Sequence, residues 1–155
     1  MVVSDAAVAR EDLCRFLAGC YYEPGPEFAE ERLFESILAA ARRIDPELAE
    51  HAQRLGQAFA ASSLADLLVD YTRLFLGAPQ ALAKPYSSVW LTGQPELMQD
   101  SAMELLKLYE QGGFEIDPEF RDLPDHVAVE LEFLYLLTYQ RNQAHANGDD
   151  QALQA

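Results

Sequence analysis

Apolar residues recur three and four positions apart along nearly the whole 155-residue chain, with no sustained period-two alternation, so the pattern predicts helices throughout. A first helix is expected from about Ser4 to Tyr22, its inward stripe formed by Ala6, Ala9, Leu13, Phe16, Leu17, Cys20 and Tyr21. Glu23-Pro24-Gly25-Pro26 then breaks it. A second helix, Glu27 to Arg43, turns Leu33, Phe34, Ile37, Leu38 and Ala41 inward. Asp45 as N-cap and Pro46 in the first turn open a third, with Leu48, Ala52, Leu55 and Phe59 as its stripe. Ser63 and Asp66 have capping-box spacing and start a fourth, which carries Leu64, Leu67, Leu68, Tyr71, Leu74 and Phe75. Gly77 suits a left-handed position ending it. A loop follows from Ala78 to Gly93, and Pro95 opens a fifth helix through Leu97, Met98, Ala102, Leu105, Leu108 and Tyr109, stopped by Gly112-Gly113. Pro124 opens the last helix, which runs to about Ala146.

Between Val127 and Tyr139 that last helix is apolar on more than one side, which places it at the centre of the bundle. The expected fold is therefore all-α, a single-domain helical bundle of about six helices over residues 1–148. Residues 149–155 read as a tail or as the first turn of a missing or swapped helix. Half of the residues are hydrophobic, enough for a core without disulfide or metal staples.

Charge narrows the partners. Eleven basic against twenty-six acidic residues give a formal net charge of −15, which repels nucleic acid and anionic lipid and favours basic partners. The plainer reading is that the acidity keeps the protein soluble. No stretch approaches the ~18–20 apolar residues of a membrane span, and Met1 to Arg10 lacks the basic-then-apolar order of a secretory signal. A cytoplasmic location is expected. Cys14 and Cys20 on one helix would lie roughly 9 Å apart along its axis. That is beyond disulfide reach and unsuited to a shared metal, so both read as small core residues.

Catalytic signatures do not appear. There is no phosphate loop, and the only lysines are Lys84 and Lys107. None of His51, His126 and His145 follows a glutamate by three, which removes the Glu-x-x-His pairs of helical di-iron sites. No nucleophile elbow or dinucleotide fingerprint is present. No catalytic residue and no metal ligand is assigned, and an enzyme is not expected.

Two constellations stand out instead. Between Asp70 and Glu96 there is no acidic residue, and the only charges are Arg73 and Lys84. This window holds Tyr71, Leu74, Phe75, Pro85, Tyr86, Val89 and Trp90. Such a stretch either packs into the core or walls a groove; loops favour the surface because their backbone groups need water. Trp90, the sole tryptophan, is the kind of rigid amphipathic side chain that anchors a peptide. The second constellation is Pro124-Asp-His-Val-Ala-Val-Glu130, where Asp125 would meet the helix dipole and His126 shares a face with Glu130. It reads either as a well-made helix start with a satisfied histidine or as a polar patch at a groove rim.

Together, Tyr71-Thr-Arg-Leu-Phe-Leu-Gly77, Pro85-Tyr-Ser-Ser-Val-Trp90 and Pro124-Asp-His-Val-Ala-Val-Glu-Leu131 resemble the TorD/DmsD family of NarJ-like redox-enzyme maturation chaperones. The resemblance spans roughly Tyr71 to Tyr139. It implies a cytoplasmic chaperone that binds the twin-arginine signal peptide of a molybdopterin-enzyme catalytic subunit and holds it for cofactor insertion before export. Matching positions make Tyr71, Leu74, Phe75, Gly77, Pro85, Tyr86, Val89, Trp90, Pro124, Asp125, His126 and Glu130 the candidate peptide-binding residues, with Leu74 and Glu130 also able to act by holding the loop in place. It implies no cofactor of the chaperone's own; the molybdenum cofactor belongs to the client. Guanine-nucleotide binding has been proposed for the family, but no phosphate loop here supports it. Family members usually continue with further helices, so the resemblance implies that the C-terminal ones are missing here and that this chain either swaps helices in a homodimer or exposes an apolar face. The alternatives are a nucleotide-binding regulator and a helical scaffold without a peptide groove.

Overall fold

The computed structural model describes residues 2–77, 81–92 and 100–149. Its elements are α1 (Asp5–Gly19), α2 (Glu27–Glu30), α3 (Leu33–Arg42), α4 (Pro46–Ala60), α5 (Leu64–Tyr71), a π-helical turn (Thr72–Leu76), α6 (Ser87–Thr92), α7 (Asp100–Gln111) and α8 (Val127–Asn147). Among the described residues there is no strand beyond one isolated bridge, Tyr86 to His126, and no helix long and apolar enough to cross a membrane. The fold is all-α as expected, with eight α-helices among the described residues rather than about six.

The caps read from sequence are in place. Asp45 accepts from the N–H groups of Glu47 and Leu48, and Ser63 and Asp66 form a reciprocal capping box. The extra helices have local causes. Arg32 takes a left-handed conformation (φ 54°) and divides the expected second helix into α2 and α3. The expected fourth helix widens at Thr72 into the π turn, and the loop after Gly77 contains α6. Gly77 itself is not left-handed: φ is −57°, and a Cβ there would meet Arg73 O at an ordinary 3.4 Å. Gly113 does fill a left-handed stop (φ 70°). At Gly112 a Cβ would come within 2.5 Å of the Phe133 ring, so any other residue would have to displace that ring. The start expected at Pro95 and the segment 150–155 lie outside the described residues.

Packing is layered. α4 lies on α3, α3 on α1, and α1 on α8. Ile37, Ala41 and Ala52 centre one apolar cluster, joined by Leu13, Phe16, Cys20, Leu33, Phe34, Leu38 and Leu48. Both cysteines are free, and burial pushes the Cys20 thiol up to about 11, as suits a packing residue. α1 and α8 run antiparallel. Tyr22 donates to Glu132 (2.6 Å) at one end, and Asn142 donates to Ala7 O (3.2 Å) and Glu11 (2.9 Å) at the other.

Among the described residues, α8 is covered on two sides. α1 covers one, and Tyr109 (edge-on, 4.8 Å between ring centroids) and Phe114 (tilted, 5.6 Å) pack against Phe133 at the other. Elsewhere on α8, Leu134 is 48% and Leu137 39% exposed.

Candidate peptide groove

The π turn and the loop behind it are fastened to each other. A π turn and a helix end leave carbonyls without intrahelical partners, and here the loop supplies donors: Leu82 N–H to Arg73 O (3.4 Å) and Ala83 N–H to Leu74 O (2.8 Å). From Ala83 the chain crosses to the start of α8. Pro85 O accepts from Val127 N–H (2.8 Å) and Asp125 O accepts from Ser87 N–H (3.0 Å), which makes the Tyr86–His126 bridge. Segments more than thirty-five residues apart thus frame one cavity.

That cavity is a groove of about 440 Å³ lined by Tyr21, Leu74, Phe75, Ala83, Lys84, Pro85, Tyr86, Ser87, Trp90, Val127 and Glu130. Trp90 is 67% exposed in this lining, and Leu76, Leu82 and Leu91, next to lining residues in the chain, are exposed too. The Trp90 indole N–H donates to Lys84 O (2.7 Å), which orients the ring while leaving most of it in solvent. Among its described lining residues, Lys84 is the one basic and Glu130 the one acidic side chain.

Of the residues singled out in the sequence, Leu74, Phe75, Pro85, Tyr86, Trp90 and Glu130 line the groove. The others stand behind it. Tyr71 packs edge-on against Phe75 (5.2 Å) and its hydroxyl reaches Tyr21 O (3.4 Å). Val89 is half-buried in α6, and Gly77 follows the π turn. Pro124 O accepts from the Tyr109 hydroxyl (2.8 Å). His126 is sealed in at 4% exposure, between Tyr86 (5.6 Å) and Phe120 (6.4 Å). It is the N-cap of α8, its Nδ1 accepting from Ala128 N–H (3.1 Å), so the satisfied-histidine reading describes it.

Asp125 departs most from expectation. α8 begins at Val127, so Asp125 does not sit in its first turn; its carboxylate turns to α6 and is wholly buried. Tyr21, Ala83, Lys84, Ser87 and Val127 were not singled out. The Ser-Ser pair before Val89-Trp90 is the kind of residue pair that opens a helix and was the available signal for α6.

Electrostatics differ across the ridge made by Tyr86, His126 and Phe120. On the far side a cleft of about 500 Å³ is lined, among the described residues, by Tyr22, Phe114, Ile116, Phe120 and Val129 together with Glu115, Asp117, Glu119 and Glu132, and by no cation. Around the ridge, burial pulls the His126 imidazole below its ordinary 6.5, opposed by Asp122, Asp125 and Glu132. Burial raises Glu130 above 4.5; the Ser87 hydrogen bond works against this and Asp125 adds to it. The two act oppositely on stability. His126 contributes fully above 6.5, and its contribution is lost as the pH falls through its lower folded value. Glu130 contributes fully below 4.5, and its contribution is lost as the pH rises through its higher folded value. Glu130→Gln is therefore expected to raise the thermal midpoint at pH 7.5 more than at pH 4.5. Equal changes at both pH values, followed by circular dichroism, would contradict the burial of this carboxyl.

Among the described residues no group of three or more His, Cys, Asp or Glu is arranged to hold a metal.

Comparison with known proteins agrees with this architecture. Residues 41–155 match the family model described as nitrate reductase delta subunit. The chaperone protein TorD of Shewanella loihica is 31% identical over 131 residues, covering 81% of this chain and 59% of its own. TorD of Vibrio cholerae serotype O1 (strain O395) is 33% identical over 131 residues, covering 82% and 58%. TorD of Photobacterium profundum is 38% identical over 79 residues, covering 50% and 36%. The chain thus spans less than two thirds of the length of these relatives. In fold it is similar to a solved structure described as a redox enzyme maturation protein from Archaeoglobus fulgidus, with a TM-score of 0.56 and 23% identity over 91% of this chain and 76% of that one. Family model, relatives and helical architecture agree: this chain belongs to the nitrate reductase delta subunit family, the TorD/NarJ-like group.

Proposed function

We propose that this protein is a maturation chaperone that holds the twin-arginine signal peptide of a molybdopterin-enzyme catalytic subunit while the cofactor is inserted, before export. The observation that carries this reading is the groove at Leu74, Phe75, Tyr86 and Trp90, open and apolar in a protein whose net charge is −15. A twin-arginine signal has a basic start followed by an apolar stretch of about 7–15 residues. The groove suits the apolar stretch, since each leucine removed from water contributes roughly 1.5–3 kcal/mol, and three or four exceed the cost of ordering a short peptide. The acidic cleft beyond the Tyr86–His126–Phe120 ridge supplies a field that draws in the arginines and chiefly raises the association rate. In this reading the protein acts in the cytoplasm, is not an enzyme and has no cofactor of its own; the molybdenum cofactor belongs to the client.

Trp90 makes the test direct, because it is the only tryptophan and sits at the groove lip. Titration with a synthetic peptide bearing adjacent arginines and an apolar segment is expected to shift its fluorescence to the blue saturably. Affinity should fall as salt rises, because arginine attraction is screened beyond ~10 Å at 0.1 M. An unchanged Trp90 emission at saturating peptide, or binding indifferent to ionic strength, would sink the reading.

A further inference from the structure

We infer that Asp125 is a positioning residue: its buried carboxylate, bonded to Ser88, holds the short helix that presents Trp90, and it does not touch the bound peptide. The inference rests on the groove reading above and deepens it.

α6 is short. Six residues give too few hydrogen bonds to offset the cost of nucleating a helix, so it needs an anchor from outside. Asp125 provides one. Its Oδ2 accepts from both the backbone N–H of Ser88 (3.1 Å) and the Ser88 hydroxyl (2.5 Å). First-turn N–H groups have no partner within their own helix, and a carboxylate placed there satisfies one of them and meets the positive end of the dipole. Here the capping group comes from a residue 37 positions away, at the start of another helix. The main-chain bonds Ser87 N–H to Asp125 O and Val127 N–H to Pro85 O hold the same junction.

Helix geometry then sets the direction of Trp90. Two residues along an α-helix rotate by about 200°, so a helix that turns Ser88 inward turns Trp90 outward. The burial agrees: Ser88 is 0% exposed and Trp90 67%. Direct contact between Asp125 and a ligand has no comparable support, since Asp125 is 0% exposed and is not part of the groove lining.

Calorimetry on the full chain, with the same arginine-bearing apolar peptide, separates the two roles. Asp125→Ala should weaken binding about tenfold, and Ser88→Ala about threefold, as expected for loss of buried hydrogen bonds. Asp125→Asn keeps an acceptor for Ser88 and should restore affinity to within about threefold of the parent, with its salt dependence unchanged. In a Trp90→Ala background both alanine losses should largely vanish, because the helix then presents nothing. If Asp125→Asn is as weak as Asp125→Ala and flattens the salt dependence, Asp125 is an ionic contact and the inference is wrong. Additive losses with Trp90→Ala overturn it equally. Should Asp125→Ala fail to fold, Ser88→Ala decides, since it leaves the carboxylate in place: no loss of affinity refutes the link, and a loss abolished without Trp90 supports it. If Trp90→Ala by itself leaves binding intact, it is the groove reading that falls.

Discussion

Trp90→Ala is expected to weaken peptide binding by about 30-fold or more while leaving the fold intact. The two effects separate because of where the ring lies. Trp90 is 67% exposed, so its removal costs little folding free energy, about 0.5 kcal/mol or less as for other surface positions. On binding, the same ring would become buried at the lip of an apolar groove, where truncation of an aromatic anchor costs about 2 kcal/mol or more. Tyr86 is a less clean target. Its hydroxyl donates to Asp122 (2.7 Å) and its ring covers His126, so Tyr86→Ala should lower stability along with affinity. Trp90→Phe, which keeps an aromatic face, should recover part of the binding. A Trp90→Ala protein with parental affinity and parental melting behaviour would favour a scaffold without a peptide groove.

Tyr109→Ala is expected to produce the largest loss of stability, about 3–5 kcal/mol, the range for emptying an aromatic site in a core. Tyr109 is 2% exposed and packs edge-on against Phe114 (5.1 Å) and Phe133 (4.8 Å). It thereby joins the end of α7 to the middle of α8, where Gly112 makes room for the Phe133 ring. Its hydroxyl also donates to Pro124 O (2.8 Å), next to the Asp125–His126 junction. Tyr109→Phe keeps the ring and removes that bond, so its cost should be smaller, about 0.5–1.5 kcal/mol. Urea unfolding of both variants separates packing from hydrogen bonding. Equal losses would mean that the hydroxyl, not the ring, holds the junction.

Several features were readable because they depend on residues near one another in the chain. The caps at Asp45 and Ser63 follow from side-chain geometry within one turn, and the stripes of Leu33 with Ile37 and Ala41 and of Phe34 with Leu38 follow from helical period. The stretch from Tyr71 to Trp90, free of acidic residues and carrying only Arg73 and Lys84 as charges, contributes most of the groove lining, as expected where charge resists desolvation. Less readable were the breaks. Arg32 in a left-handed conformation and the π turn at Thr72 are local departures that no periodicity announces, since the apolar spacing continues across both.

Helix type, most caps and the apolar character of the groove were thus determined by the sequence itself, through interactions within about one helical turn. The tertiary structure decided which of the marked residues face the groove and which stand behind it. Asp125 and His126 look alike as helix-start residues in the sequence, yet one caps α6 across 37 positions and the other caps α8 beside it. Their roles differ because backbone N–H groups from two separate segments converge on one buried junction. A buried carboxylate or imidazole must turn to whatever donor is brought within reach there.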